Sequence, residues 1–124
     1  MTPSFQGLVD ALRSVPEFSS DTEVRVYPGK RPDNKRSNKQ PFCIYTPITG
    51  VVIAAAEGST NFPIVQLDVY ATTWDTCSRL LNLALQVIER RSLLASAPDA
   101  PRMNFFSDLE DGLFRLSVDL ELRA

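Results

Sequence analysis

Histidine is absent from this chain of 124 residues, and glycine is scarce. Histidine is the commonest general base and a frequent ligand of transition metals, so its absence removes the most usual routes to acid–base and metal chemistry. The five glycines never cluster, which argues against a glycine-rich loop that cradles phosphates. We therefore expect no catalytic site, no metal and no cofactor, and we do not expect an enzyme.

The chain also contains few cysteines and no long apolar run. The two cysteines, Cys43 and Cys77, lie far apart among apolar neighbours, and we expect both to be buried, reduced thiols. The longest apolar run, residues 50–56, is far too short to span a membrane, and the first residues have the pattern of a polar helix start rather than a secretory leader. These features predict a protein that folds in the cytoplasm of its host cell without a membrane partner.

Charge is distributed unevenly along the chain. The net charge is −2, but residues 29–40, here called the basic segment, carry a net charge of +4 from Lys30, Arg31, Lys35, Arg36 and Lys39 against Asp33. The rest of the chain is acidic. We expect the basic segment to be an exposed loop with three open interpretations: a contact for an acidic protein partner, a nucleic-acid site, or a solvated loop without a role. The first is favoured, because an acidic body disfavours general nucleic-acid binding and the segment contains no aromatic residue for stacking.

Two helices are predicted from apolar spacing. The first covers residues 3–14, where apolar residues recur every three or four positions after a Thr2 cap and Pro3. The second begins after Thr72 or Thr73 and ends near Arg91, with a buried stripe at Cys77, Leu80, Leu81, Ala84, Val87 and Ile88.

Alternating apolar and polar residues predict the strands. We expect a strand over residues 23–27, a long hairpin over residues 42–71, and a second hairpin over residues 103–123 whose last strand alternates most regularly. The resulting order is α-β-β-β-α-β-β, which lacks a repeated strand–helix–strand unit. The sequence therefore predicts one α+β domain over residues 1–124, with an antiparallel sheet of four to five strands and both helices packed on one face.

The tip of the long hairpin is apolar on both of its faces. Within the protruding hairpin of residues 46–62, a run of valine, isoleucine and alanine cannot keep alternate side chains in water. We expect a subunit interface at Val51, Val52, Ile53 and Ala55, with folding back over the chain's own core as the alternative.

Carboxylates gather at two places. Asp108, Glu110 and Asp111 fit a turn, whereas Asp68, Asp119 and Glu121 are predicted to share the wet sheet face with Arg115 and Arg123. Cross-strand pairing with these arginines is favoured over a metal or acid–base site.

Four segments together resemble a known family, the small tail-completion or tail-terminator proteins of long-tailed bacteriophages. Arg25 to Gly29 resembles the family's first strand and turn, Pro41 to Tyr45 its second strand, Val65 to Thr72 its most recognisable stretch, and Asp111 to Asp119 its closing strand. The order and spacing agree along nearly the whole chain. The basic segment is longer and more basic than the usual link at that point.

The resemblance implies a virion component that assembles in the host cytoplasm and has no catalytic site. Such a protein forms a ring, most often of six copies, on the head-proximal end of the tail tube, where it stops tube polymerisation and meets head-completion or neck proteins. In this interpretation the basic segment docks on the tail tube or a neck protein. Gln66, Asp68, Asp119 and Glu121 face the channel, and their acidity lets genomic DNA pass without binding. The alternative is a small nucleic-acid-binding α+β module that uses residues 30–39.

Overall fold

A computed structural model describes residues 5–19, 23–32, 40–48, 64–94, 102–108 and 112–122. The fold is α+β, with two helices and one mixed sheet. Helix α1 is Phe5–Arg13 and helix α2 is Trp74–Arg90; the strands are β1 Val26–Pro28, β2 Phe42–Ile48, β3 Ile64–Ala71, β4 Arg102–Asp108 and β5 Leu113–Glu121. A short 3₁₀ helix, Pro16–Phe18, lies between α1 and β1 and was not part of the predicted order.

The five strands are arranged in the order β1-β2-β3-β5-β4. Three of the four pairings are antiparallel, but β1 pairs with β2 in parallel, with Val26 opposite Cys43. The prediction of an all-antiparallel sheet is therefore wrong. The physical reason is the long connection over residues 29–41, because parallel neighbours need a crossover of about a dozen residues and this connection supplies it.

Both helices pack on the same face of the sheet. Leu8 and Leu12 of α1 and Leu80 and Ile88 of α2 belong to one buried cluster with alternate residues of the central strands. Those strand residues are Cys43, Val65, Leu67, Val69, Ala71, Leu116, Val118 and Leu120. The helix stripes and the strand alternation thus meet in a single core, as the sequence pattern predicts.

Local signals fix where α2 begins. Thr73 is its N-cap, and the Thr73 hydroxyl accepts a hydrogen bond from the backbone N–H of Thr76 at 3.2 Å. Of the two predicted cap positions, Thr73 is therefore the one that is used. Val87 of the predicted buried stripe is only half-buried, whereas the other five members are buried.

Pro47 lies within β2 without disturbing its pairing to β3. It is opposite Val65, and β1 pairs only with Cys43 to Tyr45, so Pro47 lies beyond the end of that pairing. A proline can occupy such a position because the backbone on its β1 side need not donate to a ladder there.

Candidate interaction surface on the open face of the sheet

The sheet face opposite the helices, here called the open face, carries the four predicted channel-facing residues, Gln66, Asp68, Asp119 and Glu121. Cross-strand register places its residues in four rows across β2, β3 and β5. Counted along β2 from its first residue, the rows are Phe42–Tyr70–Arg115, Ile44–Asp68–Ser117, Thr46–Gln66–Asp119 and Ile48–Ile64–Glu121. The end that contains Arg115 is therefore aromatic and basic. The end that contains Asp119 and Glu121 is acidic and also carries Ile48 and Ile64.

A stacked aromatic pair forms the first end of the open face. The rings of Phe42 and Tyr70 are parallel to within 7°, with centroids 4.6 Å apart, and Tyr27 contributes a third ring 5.9 Å from Phe42. The Arg31 guanidinium lies over the Phe42 ring, 4.4 Å from its centroid. Phe42 is only 3% exposed, so its ring is covered on both sides.

The Tyr27 hydroxyl lies in this cluster in a partly desolvated setting. Burial raises the pKa of Tyr27, and the nearby Glu23 carboxylate raises it further. Arg25 and Arg31 oppose this shift by favouring the phenolate, without reversing it. The phenol thus remains a neutral hydroxyl at physiological pH.

Arg25 is buried beside this end of the sheet and acts as a cross-link. It is 6% exposed; its Nε donates to the carbonyl of Pro41 at 2.9 Å and its Nη2 donates to the carbonyl of Glu17 at 2.6 Å. The side chain therefore connects the 3₁₀ helix to the residue that precedes β2. Hydrogen bonds from a charged donor to buried carbonyls are among the stronger ones in proteins.

Sequence reasoning missed the role of Arg25. Its position between Val24 and Val26 predicts a wet side chain, since alternation places it opposite two apolar neighbours. Alternation predicts on which face of the sheet a side chain lies, but it does not predict whether other parts of the chain cover that face. The sequence offers only two weak signals for the carbonyl partners of Arg25. Pro16, which begins the 3₁₀ helix, precedes Glu17, and Pro41, which precedes β2, is itself the second partner.

A buried polar cluster occupies the centre of the open face. Asp68 is 5% exposed and Ser117 7% exposed, and the Ser117 hydroxyl donates to Asp68 Oδ1. Gln66 Nε2 donates to the same carboxylate, at 3.1 Å to Oδ1 and 3.3 Å to Oδ2. Two side-chain donors, Gln66 and Ser117, thus supply hydrogen bonds to this buried carboxylate.

The acidic end of the open face is the part that reaches solvent. Asp119 and Glu121 are exposed, and Gln66 is half-buried. The four predicted channel-facing residues do share one face of the sheet, but Asp68 is buried and does not present its charge to solvent. Ser117, which lies opposite Asp68 on this face, is buried as well.

The other predicted contact residues fall partly within the described part of the chain. Lys30 is exposed and Arg31 is half-buried against Phe42. The remaining members lie outside the described residues: Lys35, Arg36 and Lys39 of the basic segment, and Val51, Val52, Ile53 and Ala55 of the predicted subunit interface.

Both cysteines are buried free thiols, as predicted. The Cys77 Sγ donates to the carbonyl of Val69 at 3.0 Å, and burial raises the pKa of Cys77 to about 11 against the opposing effect of a backbone hydrogen bond at Leu116. Burial also raises the pKa of Cys43. A thiol that stays protonated is a poor nucleophile, so these side chains act as small apolar groups.

The described residues hold no group of three histidine, cysteine, aspartate or glutamate side chains arranged for a metal ion. Within the same ranges, neither helix is long and apolar enough to cross a membrane. Ser117 and Asp68 form a hydrogen-bonded pair, and the two residues are 7% and 5% exposed.

No protein-family model matches the chain, and no curated protein matches it.

Proposed function

We propose that this protein is a tail terminator of a long-tailed bacteriophage, a ring-forming virion component that caps the head-proximal end of the tail tube. The observation that carries the proposal is the position in the sheet of the four segments that resemble the family. The four segments that resemble the family occupy β1 with its turn, the start of β2, β3 with the entry to α2, and β5. These strands are consecutive neighbours in the sheet, so the resemblance covers one continuous structural unit rather than scattered pieces.

In this proposal each subunit meets its neighbours and partners through different surfaces. A closed ring needs heterologous contacts, in which one patch of a subunit meets another patch of the next copy. The apolar hairpin at Val51 to Ala55 supplies one side of that contact, and the basic segment meets the tail tube or a neck protein. The exposed carboxylates Asp119 and Glu121 line the channel, where they repel the phosphates of passing DNA. Asp68 lies buried at the centre of the same face, where it accepts hydrogen bonds from Gln66 and Ser117.

The alternative is a nucleic-acid-binding module that uses the basic segment. Phe42 and Tyr70 lie near the start of this segment, but Arg31 and Tyr70 cover the two sides of the Phe42 ring, so no base can stack on Phe42. This observation favours the ring-forming protein over the nucleic-acid-binding module.

Imaging of tail tubes tests the proposal. The chain, carrying a gold-binding tag, is co-expressed with the tail tube protein of the same genome, and purified tubes are examined by negative stain. We expect gold at one end of each tube and a ring-shaped density there. A chain that stays in the soluble fraction, or that decorates tubes along their whole length, would overturn the proposal.

Substitutions in the hairpin test the subunit interface separately. Val52→Asp or Ile53→Asp places a charge in the predicted contact and should abolish ring formation, measured by light scattering and tube-end occupancy. Ser59→Asp is the matched control, because it adds the same charge at a polar position of the same predicted hairpin. Equal behaviour of Ile53→Asp and Ser59→Asp would remove the hairpin from the interface.

A further inference from the structure

The open face of the sheet has a positive end and a negative end. Arg115 belongs to the row at one end, whereas Asp119 and Glu121 belong to the two rows at the other end and are exposed. Arg115 and Glu121 lie on the same strand, β5, at a separation of about 20 Å along the chain direction. The charges on this face are therefore separated along the strands.

Apolar side chains lie at both ends of the same face. The positive end holds a small apolar cluster, whose members are Tyr27, Phe42, Ile44, Leu113 and Tyr70. At the negative end, Ile48 and Ile64 are opposite each other in the register. Ile48, Ile64 and Tyr70 are half-buried, and so is Arg115, so each of these side chains keeps part of its surface in solvent.

We propose that the open face docks on the open face of a second copy of this chain, with the strands of the two copies antiparallel. A twofold axis between the two sheets, perpendicular to the strands, places each strand over its own copy and reverses the order of the rows. The row of Arg115 then faces the row of Glu121 of the second copy, and this contact occurs twice by symmetry. Opposite charges meet at both ends of the interface.

The remaining positions of the face fit the same arrangement. Tyr70 faces Ile64 of the second copy, so apolar surface covers apolar surface at each end. In the central rows, Asp68 and Ser117 already have a hydrogen bond to each other and need no partner from the second copy. Asp119 faces Ser117 of the second copy rather than a cation, and the desolvation of its carboxylate weakens the dimer.

Charge also selects this arrangement over the other face-to-face one. An axis parallel to the strands keeps the order of the rows and places β5 of one copy over β2 of the other. Glu121 then faces Ile48 of the second copy, so that a carboxylate loses water without meeting a cation.

The contact area indicates a reversible dimer. The strands β2, β3 and β5 are together about 14 Å wide and their four rows span about 20 Å, so each copy contributes roughly 300–400 Å². The two contributions together fall short of the about 1,200–2,000 Å² that stable specific interfaces bury. We therefore expect a dimer in exchange with the monomer at about 0.1 mM chain.

The dimer is a property of the free chain and goes beyond the proposed function, because it does not require a tail tube. Its consequence for assembly does rest on that function. The dimer covers Asp119 and Glu121, the exposed residues proposed to line the channel, so the two copies must separate before they enter a ring.

Sedimentation equilibrium of the full chain tests the proposal with two charge reversals. We expect the unaltered chain to pass from monomer to dimer between about 10 µM and 1 mM, and added salt to favour the monomer. Arg115→Glu and Glu121→Arg each bring like charges together and should weaken self-association at least about tenfold. An equimolar mixture of the two variants should regain the dimer, because both contacts then join opposite charges.

Two further variants serve as controls. Glu89→Arg makes the same reversal at an exposed position of α2, in the helix layer, and should leave the dimer unchanged. Asp119→Asn removes the carboxylate that meets no cation and should strengthen the dimer. A chain that stays monomeric up to about 1 mM, or reversed variants that associate no better together than alone, would overturn the proposal.

Ile53→Asp separates the dimer from the ring. This residue belongs to the predicted hairpin and to none of the four rows, so the change should abolish rings on tube ends and leave the dimer intact. A dimer in solution with bare tube ends overturns the proposed function alone. Rings on tube ends formed by a chain that never dimerises overturn this inference alone.

Discussion

The Arg25 side chain donates a hydrogen bond to the carbonyl of Pro41 at 2.9 Å, across sixteen positions of sequence. The same guanidinium reaches the carbonyl of Glu17, so one buried side chain joins the 3₁₀ helix, β1 and the entry to β2. This corner is where the parallel pairing of the sheet begins. The bond therefore fixes the one non-antiparallel strand relative to the rest of the fold.

Replacing Arg25 tests this cross-link. Arg25→Met keeps much of the aliphatic volume but leaves two carbonyls without their donor, and we expect it to lower the free energy of unfolding by about 2–4 kcal/mol. Arg79→Met is the control, because Arg79 is mostly exposed and lies 3.8 Å from Glu17; an exposed pair of this kind contributes less than about 1 kcal/mol. Urea unfolding measures both, and equal losses would contradict the cross-link.

The buried pair of Asp68 and Ser117 gives a second prediction. Ser117→Ala removes a hydroxyl donor from a buried carboxylate and should destabilise the fold by about 1–3 kcal/mol. In an Asp68→Ala background the same change should cost clearly less, because the carboxylate that needs the donor is gone. A double-mutant cycle in urea measures the difference. An unchanged cost of Ser117→Ala in the two backgrounds would show that the hydrogen bond does not stabilise the fold.

The thiols predict how stability depends on alkaline pH. Burial raises the pKa of Cys77 to about 11 from an ordinary value of 9.0, and it raises the pKa of Cys43 in the same direction. Between the unfolded and folded values the folded state holds more protons than the unfolded state, so stability falls as pH rises from about 9 towards 11.

Removing the thiols tests that slope. The Cys43→Ala/Cys77→Ala double variant should show a flatter decline of the urea midpoint over the same range. Tyr27, whose pKa is also raised, leaves a residual slope in the variant. Identical slopes with and without the thiols would contradict this account.

Gly29 gives a prediction about the turn that begins the basic segment. Its φ of 76° lies in the left-handed region, and an added Cβ would meet nothing within 4 Å. Gly29→Ala should therefore cost about 1 kcal/mol through backbone strain alone. Gly29→Asn should cost less, because asparagine tolerates this conformation better than alanine. Thermal unfolding of the two variants checks the order, and the reverse order would contradict the strain argument.

The sequence predicts the helices and the central strands well, because their signal is local. Apolar spacing in α2 and strict alternation in β5 each specify an element and its buried face. Strand direction is not local. The composition of residues 29–40 predicts a loop, but composition does not show whether a connection returns to the same end of the sheet or crosses to the other end.

The open face was predicted only in part for a similar reason. Period-two alternation places Asp68, Ser117, Asp119 and Glu121 correctly on one face, but it cannot tell that the first two are covered and the last two exposed. The Phe42–Tyr70 stack depends on the cross-strand register of β2 and β3, and the Arg31 contact depends on the turn at Gly29. Neither follows from patterns within one segment.

The length of tail tubes tests the terminator role most directly. Tail tube protein is polymerised in vitro with increasing amounts of this chain, and tube lengths are measured by electron microscopy. The proposal predicts that mean length falls as the chain is added, with one ring at one end of each arrested tube, and that Ile53→Asp has no such effect. Tubes whose length distribution is independent of the chain, with bare ends throughout, would contradict it.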